Sequence, residues 1–178
     1  MTVGSRPQDR APRPPAQLIL TTPEHFIAFG FGAGLSPKAP GTAGTLVAVP
    51  LWVALSWLSP AYYAIALLIL ILFGIWVCGR SAKLLGLHDC PGIVFDEIAG
   101  FLVAAAPLLP ALGLSSGPLW AWLLGAFVLF RIFDVWKPWP IRQLDAKVHG
   151  GFGIMLDDLV AGAYAAIILA VTGFILSS

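Results

Sequence analysis

The chain has 178 residues, 58% of them hydrophobic and 11% charged, where ordinary soluble domains carry roughly 25% charged residues. The bilayer is therefore the expected solvent. A net charge of +1 with acidic and basic residues intermixed excludes the basic stripe of a nucleic-acid-binding surface, and Cys78 and Cys90, without CxxC spacing, exclude a disulfide scaffold or a zinc cluster.

Residues 1–22 read as a disordered, basic, proline-rich tail. Its Met1–Pro15 portion holds Arg6, Arg10 and Arg13, and no long apolar run follows before Pro23, so it is not a signal peptide. Residues 23–178 read as one membrane domain. No Asp, Glu, Lys or Arg occurs from Ala39 to Gly79 or from Ile98 to Phe130. A helix needs about 20 apolar residues to span the hydrocarbon, so each stretch has room for about two spans if a turn divides it. Ser59-Pro60 divides the first; Pro107, Pro110 and the segment Ser115-Ser116-Gly117-Pro118 divide the second. Leu159–Leu176 supplies a further apolar run. Backbone groups in lipid must pair internally, so the expected fold is all-α: a polytopic helical membrane bundle with four to five transmembrane helices. The Ile98 segment is the weakest of them, because Pro107 arrives early.

The ten Lys and Arg residues all fall in the tail and the loop after it, in Arg80–Glu97, or in Arg131–Asp158, and the intervening turns hold none. The positive-inside rule then places the N-terminus and both long loops in the cytoplasm. All nine acids fall on that same side.

Four segments carry the chemistry. Gly30 to Thr45 is a glycine-rich loop entering the first span; its backbone N–H groups and the hydroxyls of Thr42 and Thr45 suit an anion at a helix N-terminus, and it equally suits a capped start packed through small residues. Asp96-Glu97-Ile98-Ala99-Gly100 sets two carboxylates where an apolar helix begins, with Gly100 one turn in to admit a neighbouring helix. One acid at such an end only complements the helix dipole; two ask for more. Phe130 to Pro140 puts Arg131 and Asp134 on one helical face by i,i+3 spacing, and Lys137 follows before Pro138 ends the helix. Taken singly, Arg131, Lys137, Trp136 and Trp139 are ordinary interfacial residues. Gly150 to Gly162 repeats the second device, with the pair Asp157-Asp158 followed by small residues.

If the two acidic helix mouths face each other with Asp134 nearby, up to five carboxylates converge, and a bound divalent cation offsets their repulsion. The donors are all oxygens, which favours Mg²⁺ or Mn²⁺ over Zn²⁺. His25, His88 and His149 have no His partner at ligand spacing and are expected to be structural or interfacial, with His149 beside Gly150-Gly151 the best exception. Carboxylates holding a cation beside Arg131, Lys137 and a glycine-rich loop suit a phosphate-bearing substrate, and placement at the membrane face suggests a lipid phosphate.

Together these segments, with Pro40-Gly41-Thr42-Ala43-Gly44-Thr45, Ile141-Arg142 and His149 beside them, resemble the phosphatidylglycerophosphatase A family from about His25 to the C-terminus. Those bacterial membrane enzymes remove the terminal phosphate of phosphatidylglycerophosphate to give phosphatidylglycerol. Ala43, Thr45 and Phe95 depart mildly from the family pattern, and none of them removes a charged group. The resemblance implies Mg²⁺ dependence, a phospholipid substrate, and a multi-pass protein of the bacterial cytoplasmic (inner) membrane with its active-site loops on the cytoplasmic side. On that reading Asp96, Glu97, Asp134, Asp157 and Asp158 are the pool of metal ligands and catalytic acids, with Arg131, Lys137, Thr42 and Thr45 on the phosphate. No Cys-x5-Arg loop, Asp-x-Asp box or Lys-x6-Arg-Pro motif is present, so covalent Cys or His chemistry is disfavoured. The same acids also suit a phosphatase for another lipid phosphate, or a non-enzymatic cation transporter.

Overall fold

The computed structural model describes residues 14–87, 90, 92–113 and 117–177. Residues 1–13 of the expected tail, His88, and the Ser115-Ser116 part of the expected turn lie outside them. Among the described residues every regular element is helical.

The chain enters through two short helices, α1 (Ala16–Thr21) and α2 (Pro23–Ala28). Ile19 is fully buried, so residues 16–22 fold onto the domain although they were expected to belong to the tail. Helix α2 is held against α4 (Pro60–Leu85) by a Glu24–Arg80 ion pair at 3.8 Å and a His25 Nδ1 to Ser81 Oγ hydrogen bond of 2.8 Å. Burial holds the His25 imidazole below its ordinary pKa, against the opposing pull of Glu24.

Between them runs α3 (Pro40–Leu55), and after α4 come α5 (Phe95–Ala104), α6 (Leu119–Trp136), α7 (Ile141–Lys147) and α8 (Gly150–Ser177). Among the described residues three helices are long and apolar enough to cross a membrane: α4, α6 and α8, with mean hydropathies of 2.5, 1.6 and 2.3. Helix α3 has 16 residues, a rise of about 24 Å against a hydrocarbon core of about 30 Å. Helix α5 has only 10 residues and rises about 15 Å, so the Ile98 segment is not one continuous spanning helix.

The early stop of α5 has a physical basis. A helix ending inside apolar surroundings leaves carbonyls without partners, and unpaired backbone at membrane depth is tolerated only where protein satisfies it. The Tyr63 hydroxyl donates to the Leu102 carbonyl at 2.7 Å, and the Trp52 indole N–H donates to the Ala105 carbonyl at 3.0 Å. Two 3-10 turns, Ala106–Leu108 and Pro110–Leu112, then lead the chain out of the helix.

Helix α8 forms the centre, packing on α4, α5, α6 and α7. Glycine makes the closest crossings. A Cβ on Gly162 would fall on the Gly100 carbonyl oxygen of α5, and one on Gly151 would fall on the Ile75 carbonyl oxygen of α4. Large apolar side chains such as Leu68, Ile69, Leu72, Ile167 and Phe174 point outward, as they do when lipid is the solvent.

Candidate active site

Three helices begin and one ends around a single cavity of about 490 Å³. Ala39, Pro40 and Gly41 bring the start of α3 to it, Asp96 and Glu97 the start of α5, and Gly150 to Asp158 the start of α8, while Arg131, Asp134 and Val135 come from the end of α6. The pattern of the sequence explains the convergence: each of these ends carries either a small residue or a polar pair where a span meets the interface. N-terminal helix ends present free N–H groups and a partial positive charge, which partly offsets the acids placed there.

Asp96, Glu97 and Asp158 each direct an oxygen into one cluster in which all three atoms lie within 4.8 Å of one another. Asp96 Oδ1 also accepts the Glu97 backbone N–H at 3.1 Å, which turns that carboxyl along the helix mouth. Glu97 Oε2 is buried without a hydrogen-bond partner. Gly41 makes room for this arrangement, since a Cβ there would coincide with Glu97 Oε1 and lie 3.0 Å from Arg131 Nη1.

The other two acids of the expected pool stand beside cations. Arg131 Nη1 pairs with Asp134 Oδ2 and lies 3.9 Å from Glu97 Oε1, yet it is aligned for a hydrogen bond with neither; the contact is one of charge, with donor capacity left over. The Asp134 carboxyl also faces that of Asp158. Lys137 Nζ donates to Asp157 Oδ2 at 2.7 Å and pairs with Asp145 Oδ2 at 3.0 Å. Burial opposes its charge, but the bonds and charges of Asp157 and Asp145 outweigh that and hold the ammonium above the ordinary lysine range. The five carboxylates thus divide into a triad on one side and two ion-paired acids beside it.

Thr42 and Thr45, expected on the phosphate, are not among the residues that line the cavity. The Thr45 hydroxyl is buried and donates to the Gly41 carbonyl at 2.9 Å, the usual resting place of a hydroxyl inside a helix. The glycine-rich loop serves the site through Gly41 itself. Three titratable lining residues were not assigned to the site from the sequence: Asp145, Cys90 and His149. His149 Nδ1 lies 3.1 Å from the Lys147 carbonyl oxygen. No periodic spacing links Asp145 to Lys137, so only the fold of α7 reveals that pair.

Six carboxylates and two cations lining one cavity form a site with a large excess of negative charge, chemistry suited to a multivalent cation and an anionic substrate together. Comparison with known proteins agrees with that chemistry. An Escherichia coli (strain K12) protein named phosphatidylglycerophosphatase A is 43% identical over 173 residues, 97% of this chain and 95% of its own length. A Haemophilus influenzae protein of the same name is 42% identical over 158 residues, covering 88% of this chain and 92% of that protein. A Bacteroides thetaiotaomicron relative, 38% identical over 157 residues, 85% of this chain and 94% of its own, is provisionally described as a phosphatidylinositol-3-phosphatase. No solved structure matches the chain. The sequence pattern of the family described as phosphatidylglycerophosphatase A matches residues 26–172, which include every acid and cation of the cavity, and the chain belongs to that family.

Proposed function

We propose that this chain hydrolyses the terminal phosphate monoester of phosphatidylglycerophosphate with the help of Mg²⁺, at the cytoplasmic face of the bacterial inner membrane. The P–O bond to the glycerol breaks, the oxygen of water joins phosphorus, and phosphatidylglycerol and inorganic phosphate leave. The observation that carries this reading is the carboxylate triad beside Arg131 and Lys137 in one polar cavity, in a chain whose family is known by that activity.

Mg²⁺ suits the residues present. Oxygens held at about 2.0–2.1 Å from Mg²⁺ lie at most about 4 Å apart, and Asp96, Glu97 and Asp158 bring theirs within 4.8 Å, so a small side-chain movement closes them on one ion. The orphaned Glu97 Oε2 is a further donor in search of a partner. These three would hold the ion, which when bound supplies positive charge to the phosphoryl oxygens. Arg131, with donor capacity unused by Asp134 and Glu97, is suited to bind the phosphate and offset the repulsion of the acids. Lys137 does the same from the other side, kept in the cavity by Asp157. The helix starts of α3, α5 and α8 bring N–H dipoles to the same place.

A cation transporter is the weaker reading. Its acids would continue along a path through the bundle, whereas these gather at one end, and the apolar groove at Tyr63, Leu67 and Leu109 carries no charged side chain. Substrate choice is open to a direct test. Detergent-solubilised protein should release phosphate from phosphatidylglycerophosphate in preference to phosphatidylinositol 3-phosphate and a polyprenyl phosphate. EDTA should stop the reaction and Mg²⁺ restore it, while Glu97→Gln should lower turnover about 100-fold or more, the scale set by losing one charged stabiliser of a developing phosphoryl charge. Full turnover after verified metal removal would return the triad to a structural role, and release from another lipid alone would reassign the substrate.

A further inference from the structure

Asp145 takes no part in the reaction as drawn, yet it reaches the cavity and touches Lys137. The geometry at Lys137 is unusual. The residue closes α6 with φ 46 and ψ 62, in the left-handed region, where glycine is favoured and an ordinary side chain costs free energy. Lys137 Nζ meets two carboxylates, Asp157 at 2.7 Å and Asp145 at 3.0 Å, so one positive charge faces two negative ones. An ammonium neutralised twice over has little attraction left for an incoming phosphate.

The two acids are not equivalent. The Asp157 side chain is 11% exposed and sits on the central helix α8, whereas that of Asp145 is 50% exposed on the seven-residue α7. A half-exposed ion pair holds weakly because water screens it, while the buried one holds Lys137 in the cavity and fixes its direction. The outer acid is the one that can leave.

We propose that Asp145 is a place-holding anion for Lys137, displaced when a phosphate enters, and that it thereby sets the affinity of the site for substrate and for released phosphate. The proposal rests on the phosphatase reading of the cavity. Two opposing effects decide the outcome of removing the charge: a lost contact loosens Lys137, and a lost negative charge attracts phosphate. Asp157 already orients the lysine, so the second effect prevails. Inorganic phosphate should consequently bind Asp145→Asn about three- to tenfold tighter than the wild type, the change expected when one like charge a few ångströms from the ligand is removed in a partly solvated site.

The test is a calorimetric titration of inorganic phosphate into the detergent-solubilised protein at fixed Mg²⁺, run on the wild type, Asp145→Asn and Asp145→Glu, with melting temperatures taken alongside. Asp145→Asn should bind more tightly at an unchanged melting temperature, and Asp145→Glu, which keeps the charge, should bind like the wild type. In turnover the asparagine variant should show a lower KM, stronger inhibition by phosphate and no gain in kcat. Unchanged or weaker phosphate binding in Asp145→Asn would overturn the proposal, as would equal tightening in Asp145→Glu. Should Asp145→Asn fail to fold, Asp145→Ser removes the same charge and answers the same question. Absence of any lipid phosphatase activity in the wild type would instead count against the proposed function, and the titration would still be readable.

Discussion

Gly41 shows how much of this site depends on a missing side chain. A Cβ at that position would coincide with Glu97 Oε1 and crowd Arg131 Nη1 at 3.0 Å, and both neighbours are confined, Glu97 by the triad and Arg131 by Asp134. Gly41→Ala should therefore push Glu97 out of register with Asp96 and Asp158. The expected result is a fall in turnover of at least about tenfold, on the scale that small displacements of positioning groups produce, together with a higher Mg²⁺ concentration for half-maximal rate. Wild-type turnover and Mg²⁺ dependence in Gly41→Ala would show that the triad tolerates displacement and does not act as one site. The two acid pairs stood out in the sequence, because an acid pair at an apolar helix mouth is expensive without a function, whereas Asp145 did not. The division of labour among the acids was not legible there. Asp134 and Asp157 look the same as the triad acids in sequence, and only the positions of Arg131 and Lys137 separate them. Thr45 is a related case: spacing along the chain does not show that its hydroxyl turns back to the Gly41 carbonyl.

At the scale of elements, the acids meet because α5 and α8 cross with their backbones in contact. Gly100 and Gly162 form the crossing: a Cβ on Gly162 would strike the Gly100 carbonyl oxygen, and one on Gly100 would strike the Asp158 carbonyl oxygen and the Phe130 ring. Small residues allow this approach where lipid offers no hydrophobic drive between helices. Gly162→Ala should cost roughly 1–3 kcal/mol, the usual penalty for overpacking, and should lower activity as well, since it moves Asp158 relative to Glu97. A thermal melt in detergent beside a turnover assay measures both, and a variant as stable and active as the wild type would mean that the crossing has slack. The repeated pattern of acid pair and small residues announced this pairing in the sequence. Pro107 signalled that α5 is short, but not where it ends. Its end depends on Trp52 from α3 and Tyr63 from α4 reaching its last carbonyls, partners far away along the chain that no local window contains.

The whole molecule has one charged end and one bare end. Helices α3, α5 and α8 start at the cavity, α6 ends there, and Gly79 near the end of α4 meets Gly151 beside it. The turn from α3 to α4 at Ser56–Ser59 lies at the opposite end and carries no charge. Since every Lys and Arg among the described residues falls in the segments at the cavity end, the positive-inside rule sets the expected orientation: cavity toward the cytoplasm, Ser59 toward the outside. Single cysteines test it. In a background with Cys78 and Cys90 replaced, Ser59→Cys should react with a membrane-impermeant maleimide in spheroplasts, and Lys147→Cys on α7 should react only after the membrane is opened. Ser59 and Lys147 are both exposed, so protection reports sidedness and not burial. Because α8 leads away from the cavity, a cysteine at Ser177 should label like Ser59, and labelling like Lys147 would mean that α8 does not cross. Reversal of the whole pattern, Lys147 outside and Ser59 inside, would place the carboxylates in the outer aqueous phase and overturn the orientation that the positive charges set.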